Sequence, residues 1–280
     1  MHIRHILPRL GAALLSLAIL GALGGCGQDE SAPFRVLEEL GARDYAVICR
    51  LNDRIAPQID EAMNTLAAEG TLSSLSLRWL GRDAVTLKAK AKEAAGEPED
   101  AENAQEQEGA EEPRVLIVGV ETDAAPLSFS QNGSLGGLHV DIAAALGETL
   151  GWEVRYQPIS AGEVETQLSS GNIDCALGFD PDAVRPEKYS VGVTFLHSEI
   201  VLAVQQESPV RRLRDLKELT VGTPDDPLIT ALVRDDESLT KYAAGATVYR
   251  TPRRCLEALE TGLCAAVVLD RMMLEHPETV

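Results

Sequence analysis

The 280-residue sequence has few basic side chains for its number of acidic ones. It holds 25 Lys and Arg residues against 44 Asp and Glu residues, a formal net charge of −19. A surface with this charge repels nucleic acid and anionic lipid headgroups. The sequence also lacks metal-ligand spacings, a phosphate-binding loop and a motif that pairs a nucleophile with a base. It therefore predicts no nucleic-acid partner, no metal and no cofactor.

The sequence also lacks an apolar run long enough for a transmembrane helix. Its longest such run, residues 10–23, has 14 residues, whereas a membrane-spanning helix needs about 20. Two arginines and no acidic residue precede it. Residues 1–25 are therefore predicted to be a cleaved signal peptide, and removing the two arginines takes the net charge from −19 to −21.

The small residues before Cys26 resemble the lipobox of bacterial lipoproteins. In that class the cysteine receives a diacylglycerol on its thiol and an acyl chain, such as palmitate, on its amine. Acyl chains hold a protein at a membrane surface without a spanning helix. The resemblance implies a lipid anchor on Cys26 and a place in the cell envelope, on the periplasmic or extracytoplasmic side. An ordinary secretory signal with a chance cysteine is the alternative.

The remaining four cysteines are few and scattered. Each lies in or beside an apolar run, so buried free thiols are predicted at Cys49, Cys175, Cys255 and Cys264. The last two are close enough in sequence for a local disulfide, which the extracytoplasmic side of a membrane would permit.

The mature chain begins with two predicted strands, "FRVLEEL" and "DYAVICRL", followed by two helices. The first helix places apolar residues on one face and stops at Gly70; they are Ile55, Ile59, Met63 and Leu66. The second spans about residues 71–81 and contains Trp79.

Residues 83–113 contain no aromatic side chain, and the part from Glu93 to Glu112 holds nine carboxylates. This composition cannot bury enough apolar surface to offset the entropy of ordering. The segment is predicted to be a disordered linker; an acidic tail that binds cations is the alternative.

Strand and helix patterns alternate from Arg114 onward. "RVLIVGVE", "WEVRYQPI" and "IDCALGF" read as strands, with helical segments between them. Such alternation predicts an α/β fold with mainly parallel sheets and helices on their faces.

Four motifs in this region resemble the solute-binding proteins of amino-acid ABC transporters. They are "VGVETDAAPLSF" with "GLHVDIAAAL", "LSSGNIDCAL", the Gly178 to Arg185 spacing in "GFDPDAVRPEKY", and "ALETGLCAAVVLD". The resemblance implies the two-lobed type II periplasmic-binding-protein fold, with a ligand held between the lobes.

The elements that close this fold are missing after Asp270, but similar ones occur before residue 82. The sequence therefore looks like a circular permutant of the family, with Trp79 packed in the same lobe as the strand near Val115. A fusion of two incomplete domains is the alternative. The predicted boundaries are a signal peptide at 1–25, a tether at 26–33, first lobe at 34–82, the acidic linker at 83–113, first lobe at 114–195, second lobe at 196–269 and a return to the first lobe at 270–280.

The resemblance implies roles for two residues of the ligand site. Arg185 would bind the carboxylate of an amino acid, because a guanidinium donates two parallel hydrogen bonds to a carboxylate. Asp270 would accept from its ammonium group. A surface arginine and a helix N-cap are the respective alternatives.

Further residues of the implied site depart from the family pattern. Asp180 and Asp182 replace Ser or Thr, and Asp226 with Pro227 replaces a Gly followed by Thr or Ser. Pro126 replaces the aromatic residue of the first loop, so Phe129 is the nearest aromatic that could pack on a ligand. Asp123 belongs to the same loop. Carboxylates near Arg185 would compete with the carboxylate of a ligand.

The resemblance implies a membrane-anchored receptor, not an enzyme, that captures an amino acid or similar small polar solute and delivers it to an ABC permease. Two alternatives stay open: a sensing or scaffolding lipoprotein without a transport role, and an enzyme like the cyclohexadienyl dehydratases, for which Asp180 and Asp182 could supply acid-base groups.

Overall fold

The structure is a computed structural model that describes residues 32–88 and 114–275. The predicted signal peptide, Cys26, residues 89–113 of the predicted linker and residues 276–280 lie outside the described residues. Within the described ranges, no helix combines the length and the hydropathy that crossing a membrane requires.

The chain alternates strands and helices, which confirms the predicted α/β class. The strands are β1 (Phe34–Arg50), β2 (Val115–Val120), β3 (Asp123–Ala124), β4 (Ser128–Gln131), β5 (Ser134–Gly136), β6 (Glu153–Pro158), β7 (Cys175–Phe179), β8 (Tyr189–Gln205), β9 (Thr220–Pro224), β10 (Gly245–Tyr249) and β11 (Ala266–Asp270). The helices are α1 (Ala56–Ala68), α2 (Thr71–Leu80), α3 (Leu138–Leu150), α4 (Val164–Ser170), α5 (Pro227–Asp235), α6 (Glu237–Tyr242), α7 (Pro252–Glu260) and α8 (Arg271–Glu275). Short 3-10 helices cover Ala161–Glu163, Pro181–Ala183 and Leu213–Leu216.

Eight strands form one continuous sheet in the order β10-β9-β11-β8-β1-β7-β2-β6. The pairs among β7, β2 and β6 are parallel, as are those among β11, β9 and β10. These trios are called the first and the second parallel portion below. Between them lie β1 and β8, two antiparallel strands of 17 residues each. The predicted separate sheets of two lobes are therefore joined, because β1 and β8 run through both.

A single strand, β1, replaces the two strands predicted between residues 34 and 50. Irregular register near Val36, Glu39 and Tyr45 lets it follow β8 along its whole length. Its second half, with Ala46, Val47 and Ile48 fully buried, pairs with β7. Its first half lies along the part of β8 that pairs with β11. β1 therefore starts beside the second parallel portion, whereas residues 34–82 were predicted to belong entirely to the first lobe.

The N-terminal helices complete the core of the first parallel portion. The predicted face of α1 is buried, at 0–3% exposure: Ile55, Ile59, Met63 and Leu66. Trp79 packs against the same cluster, which contains Leu116 and Val118 of β2. Its indole Nε1 also donates to Asp141 Oδ2 of α3 at 2.8 Å. The predicted packing of Trp79 is confirmed, while circular permutation stays a prediction.

The first six residues of the predicted linker, residues 83–88, pack on the folded chain. Val85 forms a bridge to Leu196 of β8, and the amide of Thr86 donates to the carbonyl of Phe195 at 3.0 Å. The amide of Ala84 donates to Ser76 Oγ. Residues 83–88 have few charges compared with the stretch that follows, so they can dock on β8.

The sequence patterns did not reveal α6 and β10. β10 is the edge strand of the sheet and its residues are mostly exposed, so it has no buried apolar run to detect. The thiols of Cys49, Cys175, Cys255 and Cys264 are buried and unpaired, as predicted.

The structure predicts that cutting the chain within residues 89–113 leaves the two pieces bound to each other. Every described contact of β1, α1 and α2 survives such a cut. After cleavage at a specific protease site inserted behind Lys92, we expect one size-exclusion peak at the elution volume of the uncut chain.

A Val47→Asp variant provides the control, because it puts an unpaired charge at a fully buried position of β1 and should destabilise by several kcal/mol. Separate elution of two folded pieces from the cleaved wild-type protein would contradict the packing.

Candidate functional site

A cavity of about 270 Å³ lies where the carboxyl ends of four parallel strands meet. Its walls are the residues that follow β2, β6, β9 and β10, with Arg43 of β1 between them. Parallel sheets bind ligands at their carboxyl ends. This cavity is called the cleft below; its principal lining residues are Arg43, Glu121, Asp123, Ser160, Asp226 and Arg250.

Arg43 lies midway along β1, at the inner wall of the cleft. Its side chain is 7% exposed, and Nη2 donates to Asp226 Oδ2 at 2.6 Å. Asp180 Oδ2 lies 3.7 Å from Nε. Burial opposes the charge of this guanidinium, but the carboxylates of Asp226 and Asp270 raise the pKa of Arg43 above its usual value. Arg43 is therefore a fixed positive charge.

Asp226 is held in place from two sides. Its Oδ1 accepts from the amide of Ile229 at 3.1 Å, so it is the N-cap of α5, and Pro227 follows at the first helical position. Its Oδ2 accepts from Arg43. Aspartate at an N-cap with proline next to it is a favoured helix start, and here the same residue supplies a carboxylate to the cleft.

Glu121 directly follows β2 and lines the cleft. Burial raises the pKa of this carboxyl group to about 7; Arg43 opposes the rise and Asp226 adds to it. Glu121 therefore changes charge near neutral pH. A ligand cation placed beside it would favour the ionised form.

Asp270 is not among the residues that line the cleft. It is fully buried and accepts from Tyr45 Oη and Ser198 Oγ, each at 2.6 Å, and from the amide of Met272 at 2.8 Å. The last contact fits the alternative of a helix cap for α8. Its role in binding an ammonium group stays a prediction.

Arg185 lies on the surface, away from the cleft lining. It is exposed, and its guanidinium and backbone amide donate to the carboxylate of Glu165. Asp182 is exposed as well, and its amide donates to Asp180 Oδ1 at 2.8 Å. The structure does not bring Arg185 and Asp270 together, and the carboxylate-binding role of Arg185 stays a prediction.

The structure brings other predicted site residues to the cleft or beside it. Asp123 and Asp226 line the cleft. Asp180 is not in the lining, but its Oδ2 lies 3.7 Å from Nε of Arg43, which is in the lining. Phe129 lines an adjoining cavity together with Asp123. Its ring packs edge-on against Trp79, with 5.8 Å between the ring centroids.

Sequence reasoning missed Arg43, Glu121 and Arg250. The signal for Glu121 was available, because it is the first residue after the buried strand β2 and ligand sites lie at that end of parallel strands. Arg250 follows β10, a strand that was not predicted. Arg43 gives no such signal, because its place depends on long-range pairing of β1.

Comparison with known proteins gives one family match. Residues 116–263, more than half of the chain, match the bacterial extracellular solute-binding proteins, family 3. A curated relative, the arginine-binding extracellular protein ArtP of Bacillus subtilis, is 27% identical over 108 residues, 38% of this chain and 42% of that protein. The chain thus aligns with less than half the length of this relative.

A solved structure shows the same fold. A substrate-binding protein of an ABC uptake transporter from Streptococcus pneumoniae, with bound histidine, has a TM-score of 0.53 and 24% identity, and the match covers 59% of this chain and 69% of that one. This likeness concerns the fold alone. An ancestral amino-acid-binding protein described as a precursor of cyclohexadienyl dehydratase has a TM-score of 0.47 and 19% identity, and the match covers 59% of this chain and 74% of that one.

Replacing Glu121 by glutamine is expected to stabilise the protein at alkaline pH. Its folded-state pKa, about 7, exceeds the ordinary value of 4.5, so the folded state holds this proton more tightly than the unfolded state. The resulting stabilisation is complete below about pH 4.5 and is lost as the pH rises through 7. At pH 8, Glu121→Gln should unfold several degrees above the wild type, a gain of roughly 2 kcal/mol. At pH 5 the two should be close.

Glu163→Gln serves as the matched control in the same cleft. Hydrogen bonds from the amide and hydroxyl of Ser160 lower the pKa of Glu163, so this variant should unfold below the wild type at pH 8. Equal pH dependence of Glu121→Gln and the wild type between pH 5 and 8 would show that Glu121 is not perturbed.

Proposed function

Because the chain belongs to the bacterial extracellular solute-binding proteins, family 3, we propose that it is a receptor that captures an amino acid in the cleft for ABC-type uptake. The observation that carries this proposal is the cleft itself. It lies at the carboxyl ends of strands from both parallel portions, and its charged groups are placed around a volume suited to a small polar solute.

The charges of the cleft favour a ligand with a positive charge. Five lining residues are carboxylic acids and two are arginines; they are Glu121, Asp123, Glu163, Asp225 and Asp226 with Arg43 and Arg250. Opposite charges attract more strongly in a partly desolvated site than in water. We therefore propose a basic or neutral amino acid in preference to a dicarboxylic one.

The relatives support an amino-acid ligand. The Bacillus subtilis relative is named an arginine-binding protein, and the Streptococcus pneumoniae structure holds histidine. Both ligands carry a carboxylate, an ammonium group and a side chain that can be positively charged, which matches the two signs of charge in the cleft.

The lipid anchor and the permease complete the proposed receptor. The sequence around Cys26 supports a lipid-anchored protein in the cell envelope, outside the cytoplasm. An ABC permease is the proposed partner, and the protein itself is proposed not to be an enzyme. Asp180, a group considered for acid-base chemistry, instead accepts from the Asp182 amide and faces Arg43.

A thermal-shift screen tests this function. With L-arginine, L-lysine or L-histidine at 100 times its dissociation constant, we expect about 2.7 kcal/mol of stabilisation, a rise of roughly 5–10 °C. L-Glutamate and L-aspartate should give a much smaller rise, because their second carboxylate meets the acidic lining.

Two variants make the screen specific to the cleft. Asp123→Asn removes a lining carboxylate and should reduce the shift with basic amino acids, whereas Glu187→Gln changes an exposed carboxylate outside the cleft lining and should leave it unchanged. The absence of a shift with every amino acid would refute the proposed function.

A further inference from the structure

Building on the function proposed above, and resting on it, we propose that Arg43 binds the carboxylate of the ligand in the cleft. The resemblance to known solute-binding proteins implied this work for Arg185. Three features of the structure favour Arg43 for this role. Its guanidinium lies in the cleft, one of its donors has no hydrogen-bond partner among the described residues, and Arg185 is already paired with Glu165.

The position of Arg43 suits a buried anion partner. It lines the cleft and also a smaller cavity of about 20 Å³ behind it, with Tyr45 and Asp180. At 7% exposure, it is largely shielded from water. The other arginine of the lining, Arg250, is exposed at the end of β10, so water competes there with a ligand oxygen. A charge-assisted hydrogen bond is therefore stronger at Arg43.

The guanidinium of Arg43 retains donors for another acceptor. Among the described residues, its hydrogen bond runs from Nη2 to a single oxygen of Asp226, whose second oxygen caps α5. Nε is buried without a hydrogen-bond partner in the described part of the chain, since Asp180 Oδ2 at 3.7 Å is too far. Buried donors are rarely left unused. Because this atom has almost no accessible surface, a ligand carboxylate would reach it through a shift of the Arg43 or Asp226 side chain.

Arg185 has no comparable capacity. Its Nε donates to both oxygens of Glu165 at 3.0 Å, and its Nη2 and backbone amide contact the same carboxylate. The fork that would bind a ligand carboxylate therefore already holds a side chain. The pair lies outside the residues that line the cleft.

Asp226 is then an internal competitor for the guanidinium. A ligand carboxylate must share Arg43 with it or displace its Oδ2. An Asp226→Asn variant removes this negative charge but keeps the cap of α5, because asparagine is as good an N-cap as aspartate. It should tighten binding of a carboxylate ligand by roughly tenfold.

Calorimetric titration with L-arginine and agmatine tests the assignment, since agmatine is arginine without its carboxylate. Arg43→Lys should weaken L-arginine binding at least roughly tenfold and change agmatine binding little, while Asp226→Asn tightens L-arginine binding only. Arg185→Lys is the matched control and should change neither. A loss shared equally by both ligands in Arg43→Lys, or a loss confined to L-arginine in Arg185→Lys, would overturn the proposal.

A second measurement uses the wild-type protein and needs no amino-acid binding. The Nε–Hε signal of Arg43 in ¹⁵N-labelled protein, assigned with the Arg43→Lys variant, should shift on titration with sodium acetate but not with sodium chloride at equal ionic strength. If acetate shifts it and no amino acid binds, the anion site is supported and the proposed receptor function fails. If neither acetate nor L-arginine shifts it, Arg43 is not the carboxylate-binding residue.

Discussion

The two-sided pairing of β1 is the constraint on which the rest of the structure depends. One edge of this strand pairs with β8 from Phe34 to Arg50, and the other edge of its second half pairs with β7. A strand in this position must pair its backbone groups along both edges. Its residues from Ala46 to Ile48 are fully buried, so their side chains must be apolar. Without β1, the first parallel portion would end at β7 and would lose its connection to β8.

The same pairing explains the electrostatics of the site. Arg43 and Tyr45 are two residues apart, so they lie on one face of β1. Arg43 binds Asp226 at the start of α5, and Tyr45 binds Asp270 at the end of β11. Asp226, which follows β9, and Asp270, which ends β11, are thus held by two residues on the same face of one strand. Strand register therefore positions the charges of Arg43 and Asp226 in the cleft.

The sequence predicted the parts of the fold that local patterns encode. The buried face of α1 and the long extended β8 follow from residues a few positions apart, whereas the packing of Trp79 was predicted only through the resemblance to a permuted family member. The single strand β1, the edge strand β10 and the docking of residues 83–88 were missed because each depends on a partner far away in sequence. At the site, motif spacing identified the loops of Asp123, Asp180 and Asp226 but gave no information on which guanidinium would face them.

The N-terminal helices α1 and α2 and the elements β2 and α3 share one hydrophobic core. The matched residues, 116–263, contain both parallel portions except for β11, but the core around β2 and α3 is closed by α1 and α2. A truncated second domain fused at the N-terminus would bury its apolar residues against itself. Here Met63 and Leu66 are instead buried in one cluster with Leu116 and Leu146. That packing is what a circular permutation predicts, because the segment completes an existing core and also delivers Arg43 to the cleft.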